Sequence, residues 1–252
     1  MDHERFAHAA ALAAERQRLG IGMLGEKGIH NALKHYYEPD PTCHEVSIGG
    51  YVADIVGENG IIEIQTRSFG SMHDKLARFL EASTRVTIVY PCIVNKRVFV
   101  HDPDTGELLY KRRSPRHGSK FDLLTELWGI LDLWDHERLD ICITFIDADE
   151  FRPKQEKRGR RKRKGGARPE VERLPTALLD ELWLCSPADY AVYFPDTLPE
   201  QFLSKDYRAA TGLSQYDAGM AVSLFFRMGL IERIGKQGNA YVYRLCIDRD
   251  TI

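Results

Sequence analysis

The chain has 252 residues, 43% of them hydrophobic and 29% charged, and its five cysteines are scattered without a CxxC pair. That composition excludes a disordered or collagen-like chain, a disulfide framework and a zinc-ribbon site. The net charge of −2 averages over unlike pieces, with −7 on residues 1–151, +8 on 152–173 and −3 on 174–252.

The opening stretch, MDHERFAHAAALAAERQ, is Ala-rich and helix-prone and lacks the basic and apolar regions of a secretory signal. No apolar run approaches the roughly 20 residues of a membrane helix. A cytoplasmic protein without membrane attachment is therefore expected, or a nuclear one in a eukaryotic host. Residues 23–37 (MLGEKGIHNALKHYY) predict a helix with Leu24, Ile29, Leu33 and Tyr36 or Tyr37 near one face, stopped at Glu38-Pro39. Three β-like runs follow at 44–48, 51–56 and 61–66, separated by Gly49-Gly50 and by Glu58-Asn59-Gly60. A helix over 71–82, with Leu76, Phe79 and Leu80 inward, leads into the apolar strand VTIVYPCIV at 86–94. Strand, helix and buried strand in succession imply a parallel crossover. A hairpin turn at 102–106, a helix at 121–134 and a strand at 139–147 complete a mixed α/β domain over 1–151.

Residues 152–173 are too polar and basic to build a core and read as a linker. Beyond it, residues 174–252 predict a helix at 176–185, a Pro-containing loop at 194–199 and helices at 205–211 and 215–228. Ser204 and Ser214 stand as N-caps of the last two, with Gly212 and Gly229 at their ends. A closing hairpin turns at 235–239.

The chemistry concentrates in the 51–66 hairpin. A two-residue turn at Asn59-Gly60 sets Asp54 opposite Gln65, and a four-residue turn sets Asp54 opposite Glu63. Either puts Asp54, Glu63 and Gln65 on one sheet face, whereas a three-residue turn separates them. Carboxylates inside runs that read as buried strands need solvation, pairing or a metal. Oxygen ligands of this kind suit Mg²⁺ or Mn²⁺.

The order of Glu26 on a helix, Asp54 in GGYVADIV, Glu63 and Gln65 in IIEIQT, a helix and a strand reaching Tyr90-Pro91 resembles the core of the PD-(D/E)XK nuclease superfamily, near its archaeal Holliday-junction resolvase branch. The resemblance covers about residues 20–100 and implies a restriction-endonuclease-like sheet flanked by helices. It implies that Asp54, Glu63 and Glu26 hold the metal. Gln65 stands where the family usually has lysine, and an amide supplies no positive charge. Lys75, on the helix that follows, is the candidate for a migrated lysine, and His30 is a further residue near the cleft.

Lys157, Arg158, Arg160, Arg161, Lys162, Arg163 and Lys164 form a run dense enough to bind nucleic-acid backbone. Lys111, Arg112, Arg113, Arg116, His117 and Lys120 make a second basic segment around Ser114-Pro115. Residues 174–252 resemble a winged helix-turn-helix, with 215–228 as the recognition-type helix. That helix starts Gln215, Tyr216, Asp217 and has Arg227 as its one arginine, so DNA and a protein partner are both open as its target. The expected function is a metal-dependent nuclease acting on nucleic acid, DNA before RNA, with a homodimer left open. The rivals are a nuclease fold without activity that binds nucleic acid, and a winged-helix transcription regulator.

Overall fold

A computed structural model describes residues 1–18, 28–66, 68–82, 85–154 and 171–247. The fold is α/β, a large mixed sheet flanked by helices. Two compact units divide the chain. The first comprises Met1–His44, Pro91–Ser119 and Thr144–Glu181, and the second Glu45–Tyr90, Lys120–Ile143 and Leu182–Ile252. Both units draw on residues from either side of 152–173, of which 155–170 lie outside the described residues.

The large sheet contains β1 (His44–Ile48), β2 (Tyr51–Gly57), β3 (Gly60–Ile64), β4 (Val86–His101), β5 (Leu108–Arg113), β6 (Leu139–Pro153) and β7 (Glu172–Leu184). Its order is β1-β2-β3-β4-β6-β7, with β5 paired to β4. β2 and β3 are antiparallel, β3 and β4 parallel, and β4 and β5 antiparallel. The expected strands at 86–94 and 139–147 are both longer than their apolar runs. Each continues to alternate buried and half-exposed positions after the continuous core segment ends.

In the first unit, α1 (His3–Arg18) buries Phe6, Ala9 and Ala13 at helical spacing, and Phe6 meets Tyr36 of α2 (Gly28–Tyr37) edge to face at 5.4 Å. Glu172 of β7 accepts the Gly28 N–H at 2.9 Å and so satisfies a donor at the start of α2. At the other end, the Tyr37 hydroxyl donates to Glu181 Oε1 and meets Thr144 Oγ1, both at 2.7 Å.

In the second unit, α3 (His73–Glu81) buries Leu76, Phe79 and Leu80, the face its periodicity predicts. The helix expected over 121–134 is instead a 3-10 turn at Lys120–Asp122, the short α4 (Leu123–Leu127) and a second 3-10 turn at Trp128–Ile130. Gly129 explains the break, because a Cβ there would land on the backbone nitrogen of Gly70. The close approach of two backbones, not helix propensity, sets this segment.

The helix expected over 176–185 is wrong: residues 176–184 belong to β7. TALLDELWL has good helical propensity, but pairing along β6 and burial of Leu178 and Leu184 override it. The remaining C-terminal elements are a 3-10 helix at Pro187–Tyr193, β8 (Gln201–Phe202), α5 (Ser204–Thr211), α6 (Gln215–Arg227), β9 (Ile231–Gln237) and β10 (Ala240–Leu245). They bury Tyr190, Tyr193, Phe194, Tyr207 and Phe225, with the Tyr207 hydroxyl donating to the Tyr193 carbonyl at 3.0 Å. Ser214 caps α6 by accepting the Asp217 N–H at 3.1 Å, whereas the cap of α5 is Leu203 and not Ser204. There Asp206 accepts the Leu203 N–H at 2.8 Å. The last turn tightens to Gly238-Asn239, since Gln237 pairs with Ala240. Cys92 and Cys142 are buried and Cys185 and Cys246 exposed. Among the described residues, no helix is long and apolar enough to cross a membrane.

The β2–β3 turn differs in detail from the Asn59-Gly60 expectation. Gly57 pairs with Gly60 and Ile55 with Ile62, so Glu58-Asn59 are the loop and the longer-turn register holds. Gly60 has φ +107, and its missing Cβ leaves room for the Arg85 carbonyl, which accepts the Ile61 N–H at 2.8 Å. The Gly60→Ala variant should lose about 2 kcal/mol or more of stability through strain and displaced parallel pairing. Chemical denaturation checks this, and an unchanged midpoint would contradict it.

Candidate active site

Three of the predicted site residues meet in the second unit. Extending the β2–β3 register by one step sets Asp54 opposite Glu63. Beyond Ile55 and Ile62 the two carboxylates hold each other's strands. The Asp54 N–H donates to Glu63 Oε1 at 3.2 Å, and the Ile64 N–H donates to Asp54 Oδ2 at 2.8 Å. Lys75, on the first turn of α3, donates from Nζ to Glu63 Oε2 at 2.6 Å. Its ammonium also lies 5.6 Å from the Phe79 ring centroid.

Glu63 is only 4% exposed and sits among Ile61, Ile64, Ile88 and Val89, all buried. Burial raises its carboxyl to about 7, the Asp54 charge adds to the rise, and Lys75 opposes it. The site therefore contains a carboxyl poised between its charged and neutral forms at neutral pH, with one cation keeping it partly ionised.

Gln65 is engaged by the segment that follows β3. Its backbone N–H donates to the Val89 carbonyl at 2.9 Å, and its side-chain amide turns to the Ser68 carbonyl at 3.4 Å. Ser68 has φ +60, and Glu126 of α4 holds this turn by accepting the N–H groups of Ser68 and Phe69, the latter at 3.3 Å. Sequence reasoning missed Glu126, because its partner is 58 positions away and its own helix gives it an ordinary polar place. His73 was also missed. Asp132 accepts from it at 2.9 Å and Asp74 lies at 3.2 Å, and the Asp132 bond is the larger cause of its raised pKa.

Glu26 lies outside the described residues, as do Lys157, Arg158, Arg160, Arg161, Lys162, Arg163 and Lys164. Arg112 and Arg113 are exposed on β5 in the first unit, and His30 is half-buried on α2. Among the described residues, no group of three or more His, Cys, Asp or Glu is arranged around a metal position. The donor set of Asp54 and Glu63 is two carboxylates, which matches a cation that binds through one or two carboxylates and keeps its waters.

The fold and site define an α/β protein with an interlocked carboxylate pair and a lysine at one sheet face. The chain belongs to the family described as Domain of unknown function (DUF8091), which matches residues 27–185 and so spans the large sheet through β7. It is also similar to an uncharacterized protein of Treponema pallidum (strain Nichols), 30% identical over an alignment of 231 residues that covers 89% of this chain and 87% of that protein. No solved structure matches the chain.

The Glu63 carboxyl gives a pH signature. Its value in the fold, about 7, exceeds its ordinary 4.5, so the folded chain holds this proton more tightly than the unfolded chain. Its contribution favours folding most below the lower value and is lost as pH rises through the upper one. The Glu63→Gln variant should therefore lose less stability than the native chain between about pH 5 and about pH 8. Thermal unfolding across that range checks this, and parallel profiles would contradict it.

Proposed function

We propose that this protein is a metal-dependent nuclease of PD-(D/E)XK type, and the observation that carries the reading is the convergence of Asp54, Glu63 and Lys75. The order α2-β1-β2-β3-α3-β4 with a parallel β3–β4 pair supports a restriction-endonuclease-like core. Asp54 and Glu63 would hold Mg²⁺ or Mn²⁺, with Glu26 as the third acid. The ion would supply a polarised phosphate oxygen and an activated water for phosphodiester hydrolysis. Lys75 opposes the rise that burial gives the Glu63 carboxyl and would take the place of the lysine absent at Gln65. The run 157–164 would hold the nucleic-acid backbone, DNA before RNA.

The C-terminal order of 3-10 helix, β8, α5, α6, β9 and β10, with a small sheet ordered β8-β10-β9, supports a winged helix-turn-helix. The one arginine of α6, Arg227, lies over the Trp128 ring at 5.9 Å, so α6 brings no unengaged cation to a groove. That observation favours a protein partner over duplex reading. A nuclease fold that binds without cutting is the second reading, favoured by the Gln65 side-chain amide being engaged by the Ser68 carbonyl.

Circular DNA, single-stranded and duplex, and branched DNA incubated with Mg²⁺ or Mn²⁺ test this: at least one of them should be cut, with EDTA abolishing the reaction. Asp54→Ala and Glu63→Ala should each lower the rate by about 100-fold or more, and Lys75→Met by about 10-fold or more. Absence of cleavage by the native chain, or full activity in both acid variants, would overturn the nuclease reading.

A further inference from the structure

The first unit carries a second functional surface on its half-exposed sheet face. Along β4, Asn95, Arg97, Phe99 and His101 alternate with the buried Val98 and Val100. Along β6, Asp147, Asp149 and Phe151 alternate with the buried Ala148 and Glu150. The contacts Asn95–Asp147, Arg97–Asp149 and Phe99–Phe151 rise in step, which puts these side chains on one face of a parallel pair. Register with β5 sets Arg113 opposite Arg97 and Lys111 opposite Phe99, so both cations join that face.

Charge compensation on this face is uneven. Arg97 is held by Asp149 through two bonds of 2.7 and 2.8 Å, and Asp147 accepts from the Asn95 backbone and side chain at 3.1 and 2.8 Å. Lys111 and Arg113 have no acidic partner among the described residues. Beside them, Phe99 and Phe151 stack at 5.0 Å and 18°, with the His101 ring 6.1 Å from Phe151, and all three rings are only half-buried. A cavity of about 600 Å³ opens next to Arg113, lined also by Asn95, Ser114, His117, Asp147 and Thr176. The loop forming its wall is pinned to β4 at both ends, Ser114 N–H to Lys96 at 2.8 Å and Gly118 N–H to Ile93 at 3.0 Å.

We infer that this face binds single-stranded nucleic acid. Unengaged cations answer the phosphates, half-exposed rings offer stacking surfaces, and the polar cavity has the volume and the donors and acceptors for one nucleotide. A duplex presents no open base faces to such rings, so the single strand is the preferred form. The inference specifies the substrate of the proposed nuclease and rests on that reading only for the step after binding.

The test is fluorescence anisotropy of the full chain with labelled oligothymidine or a matched duplex, in EDTA, so that cleavage plays no part. The single strand should bind about tenfold or more tightly than the duplex. Phe99→Leu and Phe151→Leu, which keep apolar volume, should each weaken single-strand binding about fivefold or more while leaving the unfolding midpoint near that of the native chain. Joint Lys111→Gln and Arg113→Gln replacement should weaken binding and flatten its salt dependence. Single-strand binding without cleavage would leave this inference standing and remove the nuclease reading. No single-strand binding, equal binding of duplex, or native affinity in the leucine and glutamine variants would overturn it, including where cleavage persists.

Discussion

A buried carboxylate inside an aliphatic sheet is the constraint around which the second unit is arranged. Glu63 sits between Ile61 and Ile64 and beside Ile88, where an ionised group without partners would be costly. Its partners come from two directions, the Asp54 N–H from the neighbouring strand and the Lys75 ammonium from the helix that follows. Meeting both fixes the hairpin register and the rotation of α3 together. The aliphatic positions depend on the same register, because a one-residue slip would exchange Ile61 and Glu63 for outward positions.

How much of this was legible from the chain alone depends on the range of the interactions. β1, β2, β3, α3 and the shared face of Asp54 and Glu63 follow from alternation, turn residues and spacing, all within about two turns or strands of one another. Lys75 was within reach because it is on the same face of the same βαβ step. The loop at Glu58-Asn59, instead of Asn59-Gly60, was not, because Gly60 is chosen by the approach of Arg85, 25 positions away. β7 was misread as helix for a similar reason: TALLDELWL has helical propensity, and only its partner strand β6 makes it extended. Glu126, the His73–Asp132 pair and the Gly70–Gly129 approach are all long-range and leave no local signature.

The two units divide the electrostatics that the net charge of −2 conceals. The second brings two acids, Asp54 and Glu63, together with the Lys75 ammonium on Glu63. The first leaves Lys111 and Arg113 unengaged beside stacked aromatic rings. An acidic, cation-attracting site and a basic, ring-bearing face are the two surfaces a phosphodiester substrate and its metal would need. The family assignment covers the segments that build both, since residues 27–185 include β2, β3, α3, β4, β5 and β6.

The proposed function requires that Asp54 and Glu63 hold a divalent cation. A crystal structure of the full chain grown with Mn²⁺, with anomalous difference maps, tests it most directly. The account predicts an anomalous peak at roughly 2.0–2.2 Å from carboxylate oxygens of Asp54 and Glu63, absent from crystals of the Asp54→Asn variant. No peak at saturating Mn²⁺, with Lys75 still on Glu63, would contradict it.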